Sequence, residues 1–133
     1  MKAIIANAPA LAAALTFAMP AVTAFAAADD YEFQLVEQAV RQGSEAIVTV
    51  RLVDRQTGAL VGGAVIFATR LDMAPEDMEA MTTNIESLPS EKPGLYRFTT
   101  DLSMEGRWRF KLAAKVQGEE DTVQGELILQ ATP

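Results

Sequence analysis

The sequence RWRFKLAAKV at residues 107–116 gives the clearest indication of the fold. Apolar and polar side chains alternate along most of it, which is the period of two that a β-strand with one buried face requires. The apolar face carries Trp108, Phe110, Leu112, Ala114 and Val116. The opposite face carries Arg109, Lys111 and Lys115. We therefore predict a strand at residues 107–116, with Trp108 anchored in the core.

Five other stretches of the chain show similar apolar runs, with frequent β-branched and aromatic residues. They are residues 31–36, 46–53, 61–71, 95–102 and 122–130. Gln56-Thr57-Gly58 indicates a turn, and Gly62-Gly63 indicates a bulge or a close approach of two backbones. Short strands at this spacing, joined by glycine-containing turns, predict an all-β fold. We expect an immunoglobulin-like antiparallel β-sandwich of six or seven strands.

The segment from residue 73 to residue 93 lacks this alternation. Residues 74–81 have the composition of one or two helical turns, with Pro75 suited to the first helical position. Acidic residues follow Pro75, where they suit the positive end of a helix dipole. In a helix, Met78 and Met81 would share one face because they are three residues apart.

The first 28 residues have the composition of a secretory leader. They contain one charge, Lys2, then a weakly apolar stretch, and then the small-residue motif Ala24-Phe25-Ala26. This order predicts a signal peptide at residues 1–26, cleavage after Ala26, a single domain at residues 27–133 and a periplasmic location. The alternative is an uncleaved membrane anchor, although a spanning helix needs about 20 strongly apolar residues.

The composition excludes several function classes. The chain contains no histidine and no cysteine, so Ser–His–Asp and Cys–His nucleophiles and the usual zinc sites cannot be built. Without Lys2, the remaining 10 basic and 18 acidic residues give a net charge of −8. Such a charge repels nucleic acid. No small-molecule substrate is evident and no pair of carboxylates stands out, so we expect a protein that is not an enzyme.

Methionine is the remaining unusual feature of the sequence. Beyond the leader there are four methionines, namely Met73, Met78, Met81 and Met104. Thioether sulfur is a soft ligand that suits Cu(I), and the nearby acids Asp72, Glu76, Asp77 and Glu79 could add oxygen ligands. The alternative is that the methionines fill gaps in the core and that the acids form a solvated face.

Two motifs resemble the YtkA-like and FixH-like domains of bacteria. The first is RLDMAPEDMEAM at residues 70–81, and the second is GLYRFTTDLSMEGRWRFKLAAKV at residues 94–116. The shared pattern is a methionine-bearing segment, then Pro-Gly-aromatic, then a Met-x-Gly-x-Trp turn that enters a strand. The resemblance covers about residues 45–130. It implies a small extracytoplasmic β-sandwich near copper handling, in oxidase assembly, efflux or metal resistance. FixH-like proteins proper carry a membrane anchor, whereas this leader has the features of a cleaved one.

Two functional hypotheses follow from these observations. The first is a periplasmic accessory module that binds or passes Cu(I) through Met73, Met78, Met81 and Met104, in contact with a membrane or periplasmic protein of a copper-handling system. The second is a pure interaction domain that docks a membrane or efflux partner through a strand edge or loop, without metal. Methionines buried in the core would favour the second hypothesis.

Overall fold

The computed structural model describes residues 28–133, which form two β-sheets packed face to face. The predicted all-β, immunoglobulin-like sandwich is confirmed. A short 3-10 turn, Ala28–Asp30, precedes the first strand, and a second, Ala74–Glu76, separates the fourth and fifth. The strands are β1 (Tyr31–Leu35), β2 (Ala39–Arg41), β3 (Gly43–Asp54), β4 (Val65–Met73), β5 (Met78–Thr83), β6 (Ile85–Leu88), β7 (Leu95–Leu102), β8 (Gly106–Lys115) and β9 (Val123–Thr132).

The core lies between the sheets and is built from the alternating faces that the sequence predicts. In β8, every second side chain from Trp108 to Ala114 is buried, and Trp108 itself has no exposed surface. From the other sheet, β3 and β7 contribute their own buried faces. The rings of Phe98 and Phe110 meet edge to face with centroids 5.2 Å apart, so the central strands of both sheets are in contact.

Five connections carry the chain from one sheet to the other, namely β1–β2, β2–β3, β3–β4, β5–β6 and β7–β8, and two of them join edge strands. One sheet has the order β1-β3-β7-β6 and the other has the order β2-β9-β8-β4-β5. The pairs are antiparallel except β2 with β9, which is parallel. β1 and β2 belong to different sheets, and so do β5 and β6, which only Asn84 separates. Each of these two crossings ties one edge of the first sheet to one edge of the second.

Two details of the sequence prediction are wrong. Nine strands are present within residues 28–133 rather than six or seven, because β2, β5 and β6 are short and lack a clean alternation. The predicted helical turns over residues 74–81 extend only through Ala74–Glu76, and Met78–Thr83 is a strand. Asp77 ends the turn with a φ of 62°, and pairing with the end of β4 then holds the chain extended. Residues three apart in a strand project to opposite faces, so Met78 and Met81 do not share one.

The close approach predicted at Gly62-Gly63 is present. A Cβ atom on Gly62 would lie 2.9 Å from Cβ of Pro93. The third apolar run therefore begins as a strand only at Val65, after this contact, rather than at Val61. Within residues 28–133, none of the helices has the length and hydropathy needed to cross a bilayer. The predicted cleavage after Ala26 lies outside the described residues.

Candidate functional site

The methionines lie at one end of the sandwich, where the β4–β5 turn meets the β7–β8 turn. Met73 ends β4 and Met78 begins β5, and the two residues are partners in the strand register. Met81 precedes Thr82, which pairs with Asp72. Met104 lies in the turn before Gly106, the residue that faces the Met73 methyl group.

Met73 is a core residue. Only 1% of its surface is exposed, and it packs with the buried side chains of both sheets. Gly106 makes this position possible: it has a φ of +131°, and a Cβ atom there would lie 3.1 Å from Cε of Met73. The β7–β8 turn therefore closes directly over the Met73 methyl group, and glycine is the residue that permits both the backbone angle and the contact.

Met78 lies at the surface boundary beside Met73. It is partly buried and packs against the core. Both methionines line an open cavity of about 460 Å³. Glu76, Glu105, Gly106 and residues 130–133 complete the lining. The structure thus brings two of the four predicted thioether ligands to one cavity.

Met81 and Met104 are not part of that lining. Met81, in β5, is 36% exposed, and Met104, in the β7–β8 turn, is 37% exposed. The backbone of Met104 is fixed, because its carbonyl oxygen accepts a hydrogen bond of 3.1 Å from Nε1 of Trp108. The convergence of all four sulfur atoms on one ion stays a prediction.

Asp72 is neither an available oxygen ligand nor part of a solvated face. It is fully buried, and its Oδ2 accepts bonds from Nε of Arg70 at 2.7 Å and from Nη2 of Arg109 at 2.8 Å. Its Oδ1 accepts the backbone N–H of Ala74 at 2.9 Å. Burial acts to raise the pKa of Asp72, but these hydrogen bonds outweigh it and hold the pKa below its usual value. The carboxylate therefore fixes the turn that follows Met73.

Glu76 fastens the same turn to the neighbouring strand. Its Oε2 accepts the backbone N–H of Arg107 at 2.9 Å and Nε of Arg107 at 3.2 Å. Arg107 also donates from Nη2 to the carbonyl oxygen of Pro75. The backbone hydrogen bond is the main cause that lowers the pKa of Glu76, followed by the bond from the Arg107 side chain. This carboxylate remains ionised at neutral pH and is already engaged by an arginine.

Arg107 and Arg109 are the residues that sequence reasoning missed. Both lie on the polar face of β8, where they read as ordinary solvated charges. Arg109 also reaches Glu79 at 3.3 Å, so one arginine joins β8 to β4 and β5. The sequence did contain a signal for these arginines, namely Asp72, a single acid between Leu71 and Met73 at the end of an apolar strand. An acid that is buried at such a position requires a cationic partner.

The donor set suits a soft ion better than a hard one. Asp72 and Glu76 are occupied by arginines, which leaves the thioethers of Met73 and Met78 as the distinctive ligands of the cavity. Within residues 28–133, no group of three Asp or Glu side chains is placed to hold a metal ion. Thioethers favour Cu(I), whereas carboxylates favour hard cations. The residues present therefore fit a soft ion at this end of the sandwich.

A model of a family described as YtkA-like matches residues 25–113. No curated protein matches the chain. Similar solved structures include the Lin-41 filamin domain, with 17% identity and a TM-score of 0.43 over 70% of this chain and 90% of that one. The ZirS C-terminal domain has 13% identity and a TM-score of 0.41 over 94% of this chain and 84% of that one. No functional conclusion follows from similarities of this size. The family match, in contrast, spans more than half of the sequence, and the chain belongs to the YtkA-like family.

Proposed function

We propose that this protein is a non-catalytic extracytoplasmic module that binds a soft metal ion, Cu(I), through methionine thioethers and acts in metal efflux, resistance or oxidase assembly. The observation that carries the proposal is the pairing of Met73 and Met78 across β4 and β5 on one open cavity. The leader composition and the membership of the YtkA-like family support the extracytoplasmic location.

Two carboxylates support a preorganised site. Asp72, which is buried, and Glu76, which is partly exposed, hold the chain on either side of Met73. Together they accept five hydrogen bonds from side chains or backbone of β4, β8 and the intervening turn. A ligand whose backbone is already fixed loses less conformational entropy when the ion binds. Met73 would be the inner ligand and Met78 the outer one, because Met78 lies nearer the surface.

The exposed methionines support a role in passing the ion on. Met81 and Met104 flank the cavity and are accessible to solvent and to a partner. A third thioether, from either residue, would complete the coordination of the ion. Thioethers are neutral ligands, so the ion could still be released to a partner protein. Cu(II) would bind poorly, since it prefers nitrogen ligands and the chain has no histidine.

The test is a titration of the full chain with Ag(I), a redox-inert substitute for Cu(I), followed by NMR of the methionine methyl groups. The signals of Met73 and Met78 should move together and saturate at one equivalent, joined by at least one of Met81 and Met104. The double variant Met78→Leu, Met81→Leu keeps the side-chain volume and should weaken binding by at least about tenfold, or about 1.4 kcal/mol.

The matched control is Glu105→Gln, which changes a carboxylate that lines the same cavity. It should leave Ag(I) binding unchanged, because a hard oxygen ligand contributes little to a soft ion. Methyl signals that ignore Ag(I), or binding that is lost with Glu105 but retained without Met78, would contradict the proposal.

The burial of Met73 favours a second candidate function. A side chain that is 1% exposed serves the core in any case, and Met→Leu exchanges at such positions cost little stability. If the methyl signals do not respond to Ag(I), we infer that the chain is an interaction domain whose methionines are packing residues.

A further inference from the structure

The first half of β4 is an open sheet edge. β8 pairs with β4 along one side, from Val65 to Asp72. On the other side, β5 pairs only with Leu71, Asp72 and Met73. Within the part of the chain that the structure describes, no strand covers residues 65–70 on that side. Their outward backbone N–H and C=O groups are therefore available to another extended chain.

This edge lacks the protection that the other edges carry. Proteins guard sheet edges with charged side chains, proline or very short strands. The edge strands β1, β2, β5 and β6 each contain a charge, whereas residues 65–69 of β4 contain none. Arg70 follows, but its guanidinium turns toward Asp72 and the carbonyl oxygen of Glu79. The edge is guarded only by a bulge near Phe67.

The same edge displays large apolar side chains. Val65 is 63% exposed and Phe67 is 56% exposed, the highest values among the large hydrophobic residues of the described chain. Exposed apolar side chains lower the solubility of a protein, and these two do not contribute to the core. Apolar side chains beside unpaired backbone groups form the combination that strand-addition sites use, in which the backbone gives affinity and the side chains give specificity.

Cations border the apolar residues on the outer face of this sheet. Lys115 is the register partner of Val65, and Lys111 is the register partner of Arg70. Lys111 has no ion pair within 4.0 Å among the described residues, although Glu126 is its neighbour on β9. Arg70 and Lys111 line a groove of about 480 Å³ floored by Ala68 and Ala113, and Glu126 is the one acid in its lining. The groove lining therefore carries a net positive charge on a chain with a net charge of −7.

We propose that the β4 edge surface, defined as Val65, Phe67, Ala68, Arg70 and Lys111, docks an acidic, extended segment of another protein by strand addition. Its backbone would pair with residues 65–70, its apolar side chains would cover Phe67, and its carboxylates would meet Lys111. The net negative charge of the chain disfavours a second copy as the partner. The inference is independent of the metal proposal, since the edge involves neither Met73 nor Met78.

The probe is a capped synthetic peptide of about eight residues, which is a usual strand length. Valine and glutamate take turns at every second position and threonine fills the positions between them, so that both side chains lie on the same face of the added strand. Added to the isotope-labelled full chain, the peptide should shift the amide signals of residues 65–70 and slow their hydrogen exchange. The same peptide with lysine in place of glutamate serves as the charge control and should bind at least about tenfold more weakly, or about 1.4 kcal/mol.

A matched pair of variants locates the contact. Phe67→Glu removes the apolar contact and places a negative charge on the open edge, so it should weaken binding of the acidic peptide at least about tenfold. Ile47→Glu places the same charge at another exposed position, 40% exposed, on a strand of the other sheet. This variant should bind as the wild type does. Thermal melts of both variants show whether each is folded.

Three outcomes would overturn the inference. The first is a lack of amide shifts at residues 65–70 with the acidic peptide. The second is equal binding of the lysine peptide, which would remove the charge argument. The third is concentration-dependent association of the chain with itself through the same amides, which would make a second copy the partner.

Discussion

Trp108→Ala should remove a large part of the stability of this domain. Trp108 has no exposed surface and lies in β8, which is paired on both sides by β4 and β9. Truncating a buried tryptophan to alanine costs about 3–5 kcal/mol, because the lost contacts leave a cavity that neighbours fill only in part. The change also leaves the carbonyl oxygen of Met104 without its indole donor.

The magnitude can be compared with the whole stability of a domain. The free energy of unfolding of a small domain is about 5–15 kcal/mol. A change of about 1 kcal/mol in it shifts the Tm of a domain of about 100 residues by about 4–8 °C. A loss of about 4 kcal/mol should therefore lower the Tm by about 15–30 °C. Trp108→Phe keeps an aromatic ring but loses the N–H, and it should cost about 1–3 kcal/mol.

The assay is thermal unfolding followed by far-UV circular dichroism, because the substitution removes the only tryptophan of the chain and with it the fluorescence signal. Urea unfolding gives the free energy for the same variants. A Trp108→Ala protein that melts within about 4 °C of the wild type would show that the β8 face does not hold the core as described.

Three further predictions concern the carboxylates Asp72 and Glu76 and the close approach at Gly94. Asp72→Asn should cost about 3 kcal/mol in urea unfolding, since it leaves Arg70 and Arg109 without their buried carboxylate, whereas the exposed Asp101→Asn should cost nearly nothing. Because the folded pKa values of Asp72 and Glu76 are lowered, their contribution is present above the unfolded pKa of about 4 and is lost as the pH falls through the folded values. Unfolding free energies between pH 6 and about pH 2 should fall less steeply for Asp72→Asn than for the wild type. Gly94→Ala should destabilise the protein more than Gly58→Ala: both glycines have positive φ, but a Cβ atom on Gly94 would lie 2.5 Å from Cβ of Leu60 and one on Gly58 would meet nothing within 4 Å. Equal Tm values for the two glycine variants would contradict the close approach.

The sequence predicted the core strands well because their signal is local. In β7 and β8 the alternation of buried and exposed side chains follows directly from the period of two, and the structure confirms both strands to within one or two residues. The same alternation appears in β3, where Val48, Val50 and Leu52 are buried, and in β9, where Val123 and Leu129 are buried. One side of each of these strands is buried, so consecutive residues alternate between apolar and polar side chains, and the alternation can be recognised in the sequence.

The methionine segment could not be predicted in the same way, because its conformation depends on distant residues. Pro75 and the acids after it favour a helix locally, and a 3-10 turn does form at Ala74–Glu76. Glu76 is then held by Arg107, 31 positions later in the chain, and Met78 pairs with Met73. These contacts extend the chain as β5, so tertiary pairing overrides the local preference.

The parallel pairing of β2 with β9 sets when the domain can finish folding. Ala39 is the register partner of Gln130, so strands near the two ends of the described chain must meet before this sheet is complete. Contacts between residues so far apart carry a large loop-closure cost and slow the folding of a chain. A chain that is still emerging from the ribosome therefore lacks its closing strand, and this sheet stays incomplete until the residues of β9 have been delivered.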